Sequence, residues 1–137
     1  MILDVKNLHH SYGEIEALNN LSFSIKNSSI VSVLGPSGCG KTTLIRVIAG
    51  LESVQKGEIF IEDTIVANNQ LNTPPEKRPI SYVFQDFALF PHMTVLENIS
   101  FAAGSRKNKK QLIDQVIQLA KVDNFLQKYP HSLSGGE

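Results

Sequence analysis

Apolar and polar positions alternate with period two over Ile2 to Val5 and again over Leu21-Ser22-Phe23-Ser24-Ile25, which predicts two strands with one buried face each. Ile30-Val31-Ser32-Val33-Leu34 is apolar at nearly every position. That pattern predicts a parallel strand covered on both faces. Lys41 to Ala49 predicts a helix, with Gly50 as its stop. Gly57 to Ile61 predicts a further strand, followed by a turn at Glu62-Asp63. Val66 to Pro79 is polar, holds Pro74-Pro75 and predicts a loop. Ile80 to Phe84 predicts another strand and Thr94 to Ala103 a helix. From Lys109 to Val122 the apolar positions 112, 113, 116, 117, 119 and 120 mark one face of an amphipathic helix. Phe125 to Lys128 makes at most one more turn before Pro130 stops it. Strands come first and helices second, so a sheet core is expected before a helical subdomain.

Between the third predicted strand and the first helix lies Gly35-Pro36-Ser37-Gly38-Cys39-Gly40-Lys41-Thr42-Thr43. The spacing is G-x-x-x-x-G-K-[ST] in a strand–loop–helix context, the arrangement of a phosphate-binding loop. Glycines let the backbone turn so that successive N–H groups point at one anion. Lys41 adds a cation for the outer phosphates, and the Thr42 hydroxyl suits Mg2+. The helix that follows presents its positive dipole end.

Composition narrows the alternatives. Lys and Arg number 13 and Asp and Glu 13, so no bulk positive charge points to nucleic acid. No apolar run approaches the 18 or so residues of a membrane span, and the start Met1-Ile2-Leu3-Asp4 carries no secretory pattern. One cysteine, Cys39, excludes an internal disulfide and fits a reducing, cytoplasmic compartment. His9, His10, His92 and His131 do not share a metal-ligand spacing. Arg106-Lys107-Asn108-Lys109-Lys110 fits a solvated loop and helix start, with proximity to anionic lipid headgroups as the alternative. No N-K-x-D motif for reading guanine is present.

Two further motifs join the phosphate loop: Val83-Phe84-Gln85-Asp86 and the stretch Leu133-Ser134-Gly135-Gly136-Glu137. Together the three resemble the nucleotide-binding subunits of ABC transporters, over the whole chain. Pro74-Pro75-Glu76-Lys77-Arg78 and Phe84-Gln85-Asp86-Phe87-Ala88-Leu89-Phe90-Pro91-His92 are similar to the bacterial importer branch, within it to iron(III), polyamine and sulfate importers. The resemblance implies an α/β fold: a P-loop NTPase core with an antiparallel β-subdomain over about residues 1–85, then the Q-loop and the start of a helical subdomain over about 86–137. It implies ATP and Mg2+ as cofactors, with Tyr12 against adenine, Gly35 to Thr43 around the phosphates, and Thr42 and Gln85 on the metal. Ser134, Gly135, Gly136 and Glu137 match the signature motif, Glu137 standing where Gln is commoner. In the family that motif closes over the γ-phosphate held by a second, head-to-tail subunit, and the pair docks on a membrane permease from the cytoplasmic side.

Each of these residues also has a plainer reading. Tyr12 offers a flat ring for a base, or is an ordinary half-exposed tyrosine. Gln85 offers an amide oxygen to a metal, or is a polar residue at a strand end. Ser134-Gly135-Gly136 is a second anion site, or a helix cap. Phe87-Ala88-Leu89-Phe90 is core, or lines the groove that receives a permease helix. The family's Walker B Asp, catalytic Glu and switch His would fall beyond Glu137. The expectation is therefore the N-terminal part of an importer's ATP-binding subunit, which in its complete form couples ATP binding and hydrolysis to solute uptake through a membrane permease, while the 137 residues alone bind ATP weakly with essentially no turnover. The alternatives are an inactive nucleotide-binding or interaction module and, less well matched, a non-transport ABC protein.

Overall fold

The computed structural model describes residues 1–85, 88–104 and 106–135. The chain divides into two compact units, Met1–Tyr82 and Val83–Glu137. In the first, β1 (Leu3–Tyr12), β2 (Ile15–Ile25), β3 (Lys56–Ile61) and β4 (Thr64–Ala67) form one antiparallel sheet in the order β2-β1-β3-β4. Val5 faces Phe23 on one side and Ile59 on the other, and Leu3 lies between Ile25 and Ile61. β1 and β2 run further than the alternation predicts, because the register slips between Val5 and Leu8. Asn7 (φ 48°) and Asn20 (φ 49°) take left-handed conformations there, and Asn7 Nδ2 donates to Asn20 Oδ1 at 2.9 Å. A bulge of this kind flips the alternation and hides the strand from a period-two reading. β3 and β4 join through Glu62 (φ 49°) and Asp63 (φ 61°), both left-handed as a two-residue hairpin of the first primed type requires. β4 itself lies partly in the stretch expected to be loop.

Helix α1 (Lys41–Ala49) lies on this sheet. Its Leu44 and Val47 join Val5, Leu8, Leu18, Ile59, Ile61 and Val66 in one buried core. Burying each such side chain is worth roughly 1.5–3 kcal/mol. Gly50 (φ 83°) ends the helix where the sequence predicts, its N–H bonding back to the last turn.

Two predicted strands are not formed. Residues 30–34 belong to no strand, with Ile30 fully exposed and Leu34 89% exposed. Residues 80–84 likewise belong to no strand, and Val83 is 88% exposed. Apolar, β-branched runs state a preference for a covered strand, but a strand exists only where a neighbour supplies backbone partners. Among the described residues no strand lies beside either run. The antiparallel β-subdomain and the helices expected from the sequence are both present.

In the second unit, α2 (Val95–Ala103) packs on α3 (Lys109–Ala120). Short 3-10 turns follow at Asp123–Phe125 and Pro130–Ser132. On α3 only Ile117 is buried, while Leu119 is 84% exposed. The predicted apolar face is therefore only partly covered. Backbone bonds from Val95 to Lys128 O (2.9 Å) and from Leu96 to Leu126 O (3.0 Å) hold the start of α2 to the later segment. No helix among the described residues is long and apolar enough to cross a membrane.

Candidate functional site

The phosphate-loop motif folds as a tight turn leading into α1. Cys39 N–H donates to Pro36 O at 3.4 Å, and the first helical bond runs from Leu44 N–H to Gly40 O at 2.8 Å. Gly40 is the N-cap, left-handed at φ 89°. A Cβ at this position would collide with the Ala17 carbonyl oxygen and approach Leu18 Cδ2 to 3.2 Å. Only glycine lets the loop press against β2 while turning this way. Gly40 has no side chain to cap the helix, and no acidic residue stands in the first turn. The amides of Lys41, Thr42 and Thr43 are thus the helix's leading donors, with no side-chain oxygen supplied to them.

Lys41 arches back over the loop. Its Nζ donates to Gly35 O (2.8 Å) and Pro36 O (2.7 Å) and stands 3.5 Å from Cys39 Sγ. The ammonium is held at the loop by neutral carbonyls, with no carboxylate neutralising it among the described residues. Thr42 and Cys39 are exposed, whereas Thr43 is buried under the helix. The donor set (one cation, a row of uncapped amides, an exposed hydroxyl) suits a multiply charged anion. Beside the loop, a groove of about 480 Å3 is lined by Leu18, Leu21, Phe23, Val33, Gly40 and Lys41.

Tyr12 stands at the end of β1, before the turn at Gly13 (φ 59°), and is 47% exposed. Its ring meets the His10 ring edge-on at 4.8 Å. His10 is buried and its Nδ1 lies 3.2 Å from Ser53 O. Gln55 secures the same strand end, its side chain exchanging bonds with Ser11 N and O at 2.8 and 2.9 Å.

Gln85 sits exposed on a turn of the second unit rather than at a strand end. Ser134 and Gly135 follow the Pro130–Ser132 turn, while Gly136 and Glu137 lie outside the described residues, as do Asp86 and Phe87. The second unit carries a groove of about 440 Å3 lined by Leu89, Phe90, Ile99, Phe101, Leu112 and Val116. The Phe90 and Phe101 rings meet edge-on at 4.7 Å in its wall.

Four structural residues escaped the sequence reading. Arg78 is buried at the end of α1 (below). Asn98 satisfies the 90–94 loop, accepting from Phe90 N–H (2.9 Å) and donating to Phe90 O, Met93 O and Thr94 O. Thr94 caps α2 reciprocally with Glu97: Glu97 N–H donates to Thr94 Oγ1 (3.3 Å) and Thr94 N–H to Glu97 Oε2 (2.7 Å). Hydrogen bonds from the Thr94 backbone and side chain, helped by His92, hold the Glu97 carboxyl below its ordinary value. The T-x-x-E spacing was the available signal for this cap.

Comparison with known proteins adds the family context. Residues 18–137 match the model of the family described as ABC transporter. The chain is 41% identical to a spermidine/putrescine import ATP-binding protein of Thermotoga maritima, aligned over 98% of this chain and 37% of that protein. It is 40% identical to an Fe(3+) ions import ATP-binding protein of Haemophilus influenzae, over 99% of this chain and 39% of that one. The chain thus spans about two fifths of these curated relatives. Its fold superposes on a dimeric ATP-binding cassette, MJ0796, solved bound to ADP and Pi, with a TM-score of 0.78. That alignment is 30% identical and covers 97% of this chain and 63% of the cassette.

Proposed function

The chain belongs to the ABC transporter family, and on that premise we propose that it is the nucleotide-binding part of an importer's ATP-binding subunit. The observation that carries this reading is the start of α1. Lys41 is held over the loop by Gly35 O and Pro36 O, and Gly40 leaves the helix's leading amides without a side-chain cap. ATP would be held there, its phosphates within the loop from Gly35 through Pro36, Ser37, Gly38, Cys39 and Gly40 to Lys41, Thr42 and Thr43, with Tyr12 as the stacking platform for adenine. Stacking of a base on an aromatic ring is worth roughly 1–3 kcal/mol in single-strand binding, and Tyr12 is exposed enough to offer it. Thr42 would offer its hydroxyl to Mg2+, which when bound neutralises charge building on the phosphates.

The same reading assigns residues 1–85 to the nucleotide-binding core and 86–137 to the Q-loop and helical subdomain. Ser134, Gly135, Gly136 and Glu137 would serve the nucleotide of a second subunit in a head-to-tail dimer. The groove at Leu89, Phe90 and Phe101 would receive a permease helix, which puts the protein at the cytoplasmic face of the membrane. Its apolar lining supports that reading. The names of the relatives favour a polyamine or Fe(3+) as solute.

We propose further that a polypeptide of these 137 residues alone binds nucleotide without turning it over, since turnover asks for an oriented water and a fully coordinated metal beyond binding itself. Phosphate release tests this. The 137-residue chain should show none above buffer. The same chain extended with the segment that follows in the Thermotoga maritima relative should release phosphate, and Lys41→Ala should abolish that release. Comparable turnover by the short chain, lost on Lys41→Ala, would refute the inactive reading and keep the nucleotide site.

A further inference from the structure

Arg78 is a buried cation, 4% exposed, and no acidic partner is paired with it among the described residues. Every acceptor it uses is neutral. Nε donates to Thr73 O (2.8 Å), Nη1 to Val47 O (3.0 Å) and Ile48 O (2.6 Å), and Nη2 to Asn72 Oδ1 (2.8 Å). Burial alone pushes the guanidinium below its ordinary pKa. A charge in such a place needs a compensating field. Val47 O and Ile48 O supply it, because they lie in the last turn of α1, where the helix dipole is negative. The fit is close: a Cβ on Gly50 would stand 2.7 Å from Arg78 Nε.

The other half of the guanidinium's partners belongs to the segment after β4. Thr73 N–H donates to Val66 O at 2.9 Å, and Asn72 bridges to Ala67, so this segment is laced to β4. β4 and β2 are the two outer strands of the sheet. Helix α1 is therefore fastened at both ends. Its N-terminus presses on β2 through Gly40, and its C-terminus is tied towards β4 through Arg78. Leu44 and Val47 hold the helix down on the sheet, but apolar contact is non-directional and leaves sliding and rotation open. The fork of five directed donors in arginine closes those freedoms.

We propose that Arg78 is a positioning residue for the phosphate loop: by locking the C-terminal end of α1 to the segment after β4, it sets where Lys41 and the leading amides stand at the other end. The proposal rests on the nucleotide reading of that loop. Arg78→Met removes the charge and the donors at similar length, and Arg78→Lys keeps the charge and some donors. Titrated with fluorescent Mg-ATP below its unfolding midpoint, the Met variant should bind about tenfold more weakly than the parent. The Lys variant should recover part of that loss. A Phe60→Ala control, in β3 but outside the core that α1 joins and stacked under Lys6 instead, should stay within twofold. Parent-like affinity in Arg78→Met, or an equal loss in Phe60→Ala, overturns the proposal. Should Arg78→Met fail to fold, hydrogen exchange on the parent decides. By reciprocity, Mg-ATP must slow exchange at Thr73, Lys77, Arg78 and Ile80 as well as at the loop. Protection at residues 40–44 without protection at 73–80 overturns the positioning role and leaves the nucleotide site standing. No binding at all overturns both.

Discussion

The starts of α1 and α2 solve the same problem in opposite ways. Each leaves its first-turn N–H groups without intrahelical partners. At α2 the chain answers internally, with Thr94 accepting from Glu97 N–H and the Glu97 carboxylate placed on the positive end of the helix. At α1 it answers with Gly40, which has no side chain, no acid in the first turn, and a lysine added instead. An external anion has nothing to gain at α2 and both amides and a cation to gain at α1. The contrast also accounts for the glycine: a Ser or Asp cap would satisfy the amides, and its Cβ would strike Ala17 O.

Removing the cation should produce the largest effect. Lys41→Ala is expected to weaken Mg-ATP binding at least tenfold, about 1.4 kcal/mol or more, by fluorescent-nucleotide titration. Unchanged affinity would mean that α1 is no more an anion site than α2. Gly40→Ala comes next. It meets both the left-handed φ and the Ala17 carbonyl, and a left-handed non-glycine backbone alone costs on the order of 1–3 kcal/mol. Thermal melting should show a lowered midpoint and titration a weakened nucleotide site, whereas a variant that keeps both would deny the close approach to β2.

Thr94→Ala should cost about 1 kcal/mol in a urea titration, since it strips the cap from α2. It should leave nucleotide affinity alone, and a shared loss of affinity would blur the two helix starts. The smallest effect is a pH response confined to α2. The folded-state pKa of Glu97 is depressed, so its contribution is complete above the unfolded pKa and fades as pH falls through the folded one. Protection factors of the amides in the first turn of α2 should fall over that acidic window in the parent and not in Glu97→Gln. Parallel behaviour of the two proteins would remove Glu97 from the cap.

The sequence made α1 and its loop plain because their determinants are local. The glycine spacing, Lys41 and the stop at Gly50 are all read within sixteen residues. α2 was equally local, down to the unread Thr94-x-x-Glu97 spacing. What stayed hidden depends on distant partners. Ile59 and Ile61 lie in a strand because β1 and β4 flank them, while the equally apolar Ile30 and Leu34 have no such neighbours among the described residues and are exposed. A bulge that breaks the alternation at Asn7 hides the full length of β1, and β4 is hidden by its four-residue length. Arg78 was invisible as a structural residue because its partners are mostly backbone carbonyls, which leave no pattern in side-chain identity.

The central claim is that the start of α1, and not that of α2, is the anion site. Amide NMR of the 137-residue chain titrated with Mg-ATP tests it most directly. Saturable shifts at Gly40, Lys41, Thr42 and Thr43, with Val95, Leu96 and Glu97 unmoved, are the predicted result. Shifts of equal size at both helix starts, or none at Gly40 to Thr43 while nucleotide binds elsewhere, would contradict it.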